Sequence, residues 1–418
     1  MLWIMDRVLL LMTATSYKAG AYLDAARRLG LAVTVGSDRP QALAEMNPAG
    51  HLMLDFAAPE RSVREIESFA RQNPIHAVLS ADDDGTVLAA LAARSLGFAH
   101  HPPDAVRAAG DKLLTRERLQ AAGLPTPWFE RLALADDPQA AAARLRYPCV
   151  LKPLALAGSR GVMRADDAAG FLAAFRRLAV LLARPDARRA DASAAEAVLA
   201  EGYIPGCEFA IEGLLTHGRF SVLAIFDKPD PLEGPTFEET IYVTPSRLAL
   251  EERRALVEGA QAAIRALGLV HGPVHAELRL NECQAWALEI APRSIGGLCS
   301  RAVRFEGGVA LEELVLRHAL GRDVGALERE REASGVMMIP IPARGRLEAV
   351  RGVEQARGVP GVVDVRISIP TGQLLEPLPE GARYLGFIFA RAAGPLDAEA
   401  ALREAHRKLS FDIQPTGD

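Results

Sequence analysis

Short apolar runs separated by amphipathic stretches set the rhythm of the first 110 residues. Val8–Met12, Ala32–Val35 and Ala77–Leu79 have strand length and strand composition. Between and after them, Ala19–Leu29 reads as a helix stopped by Gly30, Ser62–Arg71 as a second, and the Ala-rich Thr86–Leu96 as a third. The acidic run Asp82–Asp84 stands between the third strand and that last helix. Strands of this length alternating with helices predict βαβ units and a parallel sheet. No G-x-G-x-x-G follows the first strand, so the dinucleotide fingerprint is missing from this Rossmann-like pattern.

Further along, Asp111–Ala122 predicts a helix stopped by Gly123, after which Pro125 and Pro127 force an extended exit. Pro148–Lys152 is a compact strand followed by the loop Leu154–Val162, and a helix is expected from about Ala168 to Ala183. Arg184–Ala195, rich in Arg, Asp and Ala, reads as a solvated connection. Val198–Ile204 and Glu208–Leu215 read as strands flanking Pro205-Gly206. Leu250–Leu267 is a long amphipathic helix, Val274–Leu280 and Ala285–Ala291 are strands, and Leu311–Leu320 is again helical. After Gly335 the chain turns to strands and turns rich in Val, Gly and Pro. The expected organisation is a Rossmann-like α/β domain over 1–110, a central domain over 111–330 and a small α+β unit over 331–418.

A length of 418 residues is enough for such an arrangement, with sizeable cores and no need for disulfides or structural metals. The 48 Lys and Arg against 53 Asp and Glu leave a net charge of −5, without the basic excess of a nucleic-acid binder. Cys149, Cys207, Cys283 and Cys299 show no C-x-x-C spacing and read as reduced thiols. The opening MLWIMDRVLLLM is interrupted by Asp6 and Arg7, and no stretch reaches the roughly 18 apolar residues of a membrane helix. A buried first strand in a cytoplasmic protein, with no membrane partner, is the expectation. His100-His101, ahead of Pro102-Pro103, reads as a linker and not as a metal site.

Four constellations could carry chemistry. If Glu282-Cys283-Gln284 is a three-residue hairpin loop, Asn281 pairs with Ala285 and Glu277 falls opposite Glu289. Directly opposed like charges destabilise a sheet, so such a pair calls for a cation; Mg²⁺ takes one or two carboxylates and leaves other positions to phosphate and water. Strand alternation would put His275 and Arg293 on that same face, whereas a surface hairpin with solvated glutamates is the bland alternative. Lys152 followed by Gly158-Ser159-Arg160-Gly161 offers a point charge and closely approachable backbone N–H groups, as phosphate binding needs. It is not a Walker A loop, and a plain turn would look the same. Glu201-Gly202-Tyr203-Ile204-Pro205-Gly206-Cys207-Glu208 could present backbone to a purine and a carboxylate to ribose, or be an ordinary hairpin turn. Arg293-Ser294-Ile295-Gly296-Gly297 sets a guanidinium, suited to bidentate carboxylate or phosphate contacts, beside a glycine pair.

The order Lys112, Lys152 with its glycine loop, Glu201–Glu208, Glu277, Glu289 and Arg293 resembles the ATP-grasp superfamily of ligases. The segments that carry the resemblance are DKLLTRERLQAAGLPTP, YPCVLKPLALAGSRGV, VLAEGYIPGCEFAIEG and HAELRLNECQAWALEIAPRSIGG. It covers roughly residues 1–325, and the C-terminal unit matches less specifically. FDKPDPLEGPTFEETIYVTPSRL followed by R-x-x-G-G is similar to the carboxylate–amine ligase branch that includes bacterial L-amino-acid ligases.

The resemblance implies that Lys112 and Lys152 contact the phosphates of ATP while the loop Gly158–Gly161, including Ser159, closes over them. It further implies that Glu201, Tyr203 and Ile204 frame adenine, that Glu208 holds the ribose, and that Glu277 and Glu289 hold Mg²⁺, with Mn²⁺ as a substitute. Many relatives have a metal-binding Asn where this chain has Ala291. For the substrates it implies Glu239, Tyr242 and Pro245, with Arg293 on the acyl phosphate and Gly296 and Gly297 beside it; Tyr242 stands where the branch has His. A half-buried strand aromatic is the alternative for Tyr242. The implied reaction is ATP-dependent ligation of a small-molecule carboxylate to an amine through an acyl phosphate, with a homodimer as a family-level expectation. A different ATP-grasp ligase or carboxylase, or a non-catalytic ATP-binding regulatory module, are the competing readings; no Met-Lys-Met biotin-carrier segment is present.

Overall fold

The computed structural model describes residues 5–39, 48–190, 193–325 and 328–416. The N-terminal part comprises β1 (Arg7–Leu11), α1 (Ala19–Arg28), β2 (Ala32–Ser37), β3 (His51–Met53), α2 (Pro59–Gln72), β4 (Ala77–Ser80) and α3 (Thr86–Leu96). Its sheet is parallel in the order β3-β2-β1-β4. Val8 to Leu11 are buried on both faces, which is why β1 reads as an unbroken apolar run. The strand β3 was beyond reach from the sequence: three residues carry no period.

Next come α4 (Pro103–Gly110), α5 (Lys112–Ala121), β5 (Phe129–Ala133), α6 (Pro138–Arg144), β6 (Cys149–Pro153) and β7 (Met163–Ala165). They are followed by α7 (Ala168–Leu182), α8 (Pro185–Ala190) and β8 (Ala197–Gly202). Asp111 caps α5 by accepting the Leu113 and Leu114 N–H groups at 2.8 and 3.0 Å. The stretch expected as a solvated connection contains α8: Pro185 suits a helix start, and Ala187 is buried against the core under α7. Residues 191 and 192 of that stretch lie outside the described residues. His100 and His101 do fall in the connection between α3 and α4, but His101 is buried and its Nδ1 accepts the backbone N–H groups of Val270 and His271.

Strands β5, β8, β6 and β7 form a small antiparallel sheet in that order. The rest begins with β9 (Cys207–Thr216), β10 (Arg219–Asp227), β11 (Ile241–Thr244), α9 (Leu250–Leu267), β12 (Gly272–Asn281) and β13 (Gln284–Ala291). It continues through β14 (Arg304–Phe305), β15 (Val309–Ala310), α10 (Leu311–Ala319), β16 (Ala333–Ile339) and β17 (Gly345–Arg351). The chain ends with α11 (Val353–Arg357), β18 (Val362–Ile367), β19 (Leu374–Leu375), β20 (Gly386–Ala392), α12 (Pro395–Lys408) and β21 (Ser410–Gln414). One eight-stranded sheet runs β13-β12-β9-β10-β11-β16-β20-β18, so the C-terminal unit lends strands to the central sheet across residue 331. Among the described residues no helix is long and apolar enough to cross a membrane.

Candidate functional site

The small sheet and the large sheet face each other across a cleft, and the chain crosses from one to the other where β8 leads into β9. The site residues expected from the sequence line this cavity, except Gly161 and Pro245. Gly161 lies behind the loop: a Cβ there would come within 2.9 Å of Pro153 and Leu178, and its N–H donates to the Pro379 carbonyl at 2.9 Å. Gly158 and Ser159 carry the loop to the cavity, both at positive φ.

At one end the lining is apolar and aromatic: Val150, Val162, Ile204, Leu232 and Leu288 surround the hinge. Tyr203 stacks on Phe237 at 6.5 Å between ring centres, with the Arg164 guanidinium over its ring at 4.3 Å. Lys152 sits beside them, buried, in contact with the Glu201 carboxylate. Arg116 grips the same carboxylate from Nε at 2.7 Å and Nη2 at 3.2 Å. Burial pulls the Lys152 ammonium down to about 8 against the pull of Glu201. Burial would raise the Glu201 carboxyl, but Arg116 and Lys152 outweigh it and hold it at about 2. The Glu201 side chain therefore orients Lys152. Lys112, at the start of α5, donates to the Leu156 carbonyl at 2.6 Å and so touches the glycine loop.

The acids lie on the large sheet, and two irregularities bring them together. The hairpin loop is the two-residue turn Glu282-Cys283, both at positive φ, so Asn281 pairs with Gln284 and not with Ala285. A bulge at Leu288 then restores the register, and Glu277 does face Glu289. The bulge also sends the consecutive residues Leu288 and Glu289 into the same cavity.

Around Glu277 stands a buried charge cluster the sequence did not disclose. Lys228, at the end of β10, reaches Glu208 at 2.7 Å and Glu277 at 3.0 Å and also contacts Glu239. Arg279 donates to Glu208 at 3.2 Å. His275 bridges Glu212 at 3.1 Å and Glu277 at 3.2 Å, on the face that strand alternation predicts, and Tyr242 donates its hydroxyl to Glu277 at 3.2 Å. Burial alone would lower Lys228, yet the three carboxylates hold it well above its ordinary value. Burial would raise Glu277, but Lys228 and His275 hold it well below the usual range. Glu239, raised by burial and by Glu277, lies at about 7. His275 is lifted to about 9 because its two carboxylate partners outweigh the burial that lowers it. The cation expected between the opposed acids is thus partly supplied by the chain itself; Lys228 was legible only as the lone base in FDKP.

The residues fit a divalent cation in addition. Lys228, His275 and Tyr242 all converge on Oε1 of Glu277. The Glu289 side chain makes no hydrogen bond or ion pair among the described residues. Opposed across the β12–β13 ladder, the second oxygen of Glu277 and the Glu289 carboxylate could offer hard oxygens of the kind Mg²⁺ prefers, while Ala291 adds no donor.

Arg293 lies past the end of β13 and is buried, its Nε and Nη2 each 2.8 Å from the Asp83 carboxylate. Asp83 comes from the acidic run of the N-terminal part, whose neighbour Asp82 accepts from Thr13 and Ser16. Buried Lys18 donates to the Ser294 carbonyl at 2.9 Å, and Glu212 accepts the Ile295 N–H at 3.0 Å. These contacts from two domains fix the segment that carries Gly296 and Gly297. Residues from beyond 331 close the cavity: Met338 and Tyr384 line it. The Arg160 Nε donates to the Glu380 carbonyl at 2.9 Å, tying the glycine loop to the same segment as Gly161 does.

A cleft between two antiparallel sheets, with Lys112 and buried Lys152 on one side and paired acids on the other, behind a parallel N-terminal sheet, defines the ATP-grasp class, and the chain belongs to that superfamily. Residues 145–302 match the ATP-grasp domain and residues 23–100 the ATP-grasp N-terminal domain. Residues 337–414 match the L-amino acid ligase C-terminal domain 2. The crystal structure of L-amino acid ligase from Bacillus licheniformis superimposes with a TM-score of 0.83 at 28% identity, covering 98% of this chain and 99% of that one. Alanine–anticapsin ligase of Bacillus amyloliquefaciens is 29% identical over 63% of this chain and 58% of its own length. Carnosine synthase 1 of Gallus gallus is 32% identical over 66% of this chain, which spans only 31% of that protein. Within the class the chain is L-amino-acid-ligase-like, a member of that carbon–nitrogen bond-forming family.

Proposed function

We propose that the protein joins a carboxylic acid to the amine of an amino acid, forming an amide or peptide bond with release of ADP and phosphate. The observation that carries this is the meeting, in one cavity, of a lysine-lined apolar end, the Glu277–Glu289 pair and the Arg293-Gly296-Gly297 segment. The apolar end suits a purine: Tyr203 and Ile204 would frame it, Glu208 would meet the ribose, and Lys112 and Lys152 would offset phosphate charge with the Gly158–Ser159 backbone. Mg²⁺ held by Glu277 and Glu289 would supply charge neutralisation at the phosphates.

The substrate carboxylate would attack the γ-phosphorus of ATP, giving an acyl phosphate and ADP. The amine would then attack the acyl carbon and expel phosphate. The chain's contribution is positioning and electrostatics, as is usual for phosphoryl transfer. Arg293, held in place by Asp83, would face the developing charge. Glu239 and Tyr242, on the far side of Lys228, would meet the amine or acid; with a carboxyl at about 7, Glu239 can accept a proton from an attacking ammonium near neutral pH. The test is phosphate release from MgATP against pairs of amino acids, with mass spectrometry of the product and Glu289→Ala as the blank. Release with an amide product supports the reading; release without a condensed product overturns it.

A further inference from the structure

A second cavity, of about 540 Å³, opens on the other side of residues 298–304, between α1, the start of α10 and the C-terminal strands β18 and β20. Its size falls within the range of small-molecule sites. Three of its lining residues each carry a buried polar atom that lacks a hydrogen-bond partner among the described residues: the Tyr17 hydroxyl, Nε of Arg304 and Oε1 of Glu312. Glu312 is only 3% exposed. Its place in the first turn of α10 suits a carboxylate, yet no backbone N–H reaches Oε1. Leaving such an oxygen unpaired is costly unless a donor is bound to it.

The fold sets the opposite charge close by. Arg304 pairs with Ala310 across the β14–β15 ladder, and Glu312 follows two residues later. The two side chains do not pair with each other. Arg304 gives one N–H to the Gly308 carbonyl at 3.3 Å, and its Nε lies 3.7 Å from Glu330, which Arg391 meets at 3.0 Å. The other bases around the cavity are mostly engaged: Arg28 with Glu313 and Arg301 with Asp364. Leu298, Val363 and Phe389 supply an apolar wall between the poles.

We propose that this cavity is a binding site for a free α-amino acid with an apolar side chain, its carboxylate on Arg304 and its ammonium on Glu312. The inference does not depend on the role given to the cleft, with whose lining the cavity shares no residue. A lone anion would leave Glu312 unpaired, and a lone cation would leave Nε of Arg304 with no hydrogen bond and only the Glu330 carboxylate at 3.7 Å; a zwitterion satisfies both.

The test is isothermal titration of the full chain, without nucleotide, with L-leucine, N-acetyl-L-leucine and L-leucinamide. Binding of L-leucine alone, weakened about tenfold or more in Glu312→Gln and Arg304→Met but kept in Arg293→Ala, is the expected result. Gly20→Leu serves as a plug: Gly20 lines the cavity, a Cβ there meets nothing within 4 Å, and Leu favours the helix over Gly. It should abolish binding and leave the circular dichroism unchanged. No saturable binding, binding lost in Arg293→Ala but kept in Gly20→Leu, or equal binding of either blocked analogue would overturn the proposal. A change of sedimentation in Gly20→Leu with no amino-acid binding would also overturn it, in favour of a contact between copies of the chain.

Discussion

Replacing Lys228 by Met tests whether the buried cluster is held together by that one ammonium. The side chain is nearly inaccessible and meets Glu208, Glu239 and Glu277 at once. Removing one partner of a buried ion pair costs about 3–5 kcal/mol, because the other charge is left uncompensated. Here three carboxylates would be left, with only His275 and Arg279 beside them. Protonating a carboxyl of ordinary affinity at pH 7 costs about 3–4 kcal/mol, at 1.36 kcal/mol per pKa unit. The two figures are similar, so near neutral pH the variant should relax by taking up a proton. The folded variant then binds more protons than the unfolded chain, and its deficit shrinks as pH falls, by about 1.4 kcal/mol per pH unit for each extra proton. Urea denaturation of both proteins from pH 5 to 8 should show the largest deficit at pH 8, about 3–5 kcal/mol, narrowing steadily toward pH 5. A deficit below about 1 kcal/mol, or one that does not change with pH, would refute the reasoning.

Other outcomes follow from single contacts. Because the His275 imidazole is raised to about 9, it adds stability that is complete below 6.5 and disappears as pH climbs through 9; in His275→Gln the alkaline fall, about 3 kcal/mol, should be lost from thermal denaturation curves. Lys152→Met should weaken ATP binding about 10- to 100-fold by equilibrium dialysis, the worth of one charge-assisted contact; an unchanged affinity would remove Lys152 from the phosphate site. Glu289→Gln should leave the melting temperature within a degree or two, as about 0.5 kcal/mol is at stake in a side chain without partners, while raising the Mg²⁺ needed for half-maximal ATP binding. Gly206→Ala should cost at least about 1–3 kcal/mol in denaturant, since its φ is +107° and a Cβ would lie 2.3 Å from the Leu280 carbonyl.

Local chemistry made much of this legible. Periodicity found the helix Thr86–Leu96 and the helix Leu250–Leu267 to the residue, because each is long and bounded by a turn or glycine. Spacing found the Glu277–Glu289 pair although it assumed the wrong turn: a loop one residue too long and a bulge not foreseen offset each other. What stayed hidden was whatever distant segments decide. Asp83 was one acid in a run of three until the fold set it against Arg293, 210 residues away. Lys228 acquires its surroundings from β9, β12 and the 229–240 loop, none of which its neighbours in sequence announce.

Arg116 has a mechanical consequence. This single guanidinium holds Glu201 of the small sheet and donates to the Ala287 carbonyl, at 2.8 Å, beside the Leu288 bulge of the large one. It lies next to the chain crossing at 202–206, so the two halves of the cleft are riveted where they are already joined by backbone. An opening that releases the Arg160 and Gly161 ties to residues 379–380 would then be a rotation about that rivet, with displacement growing in proportion to distance from it. The pocket wall at Tyr203 and Leu288 would stay nearly still, while the Gly158–Ser159 tip, farther out along the lever, would sweep the widest arc.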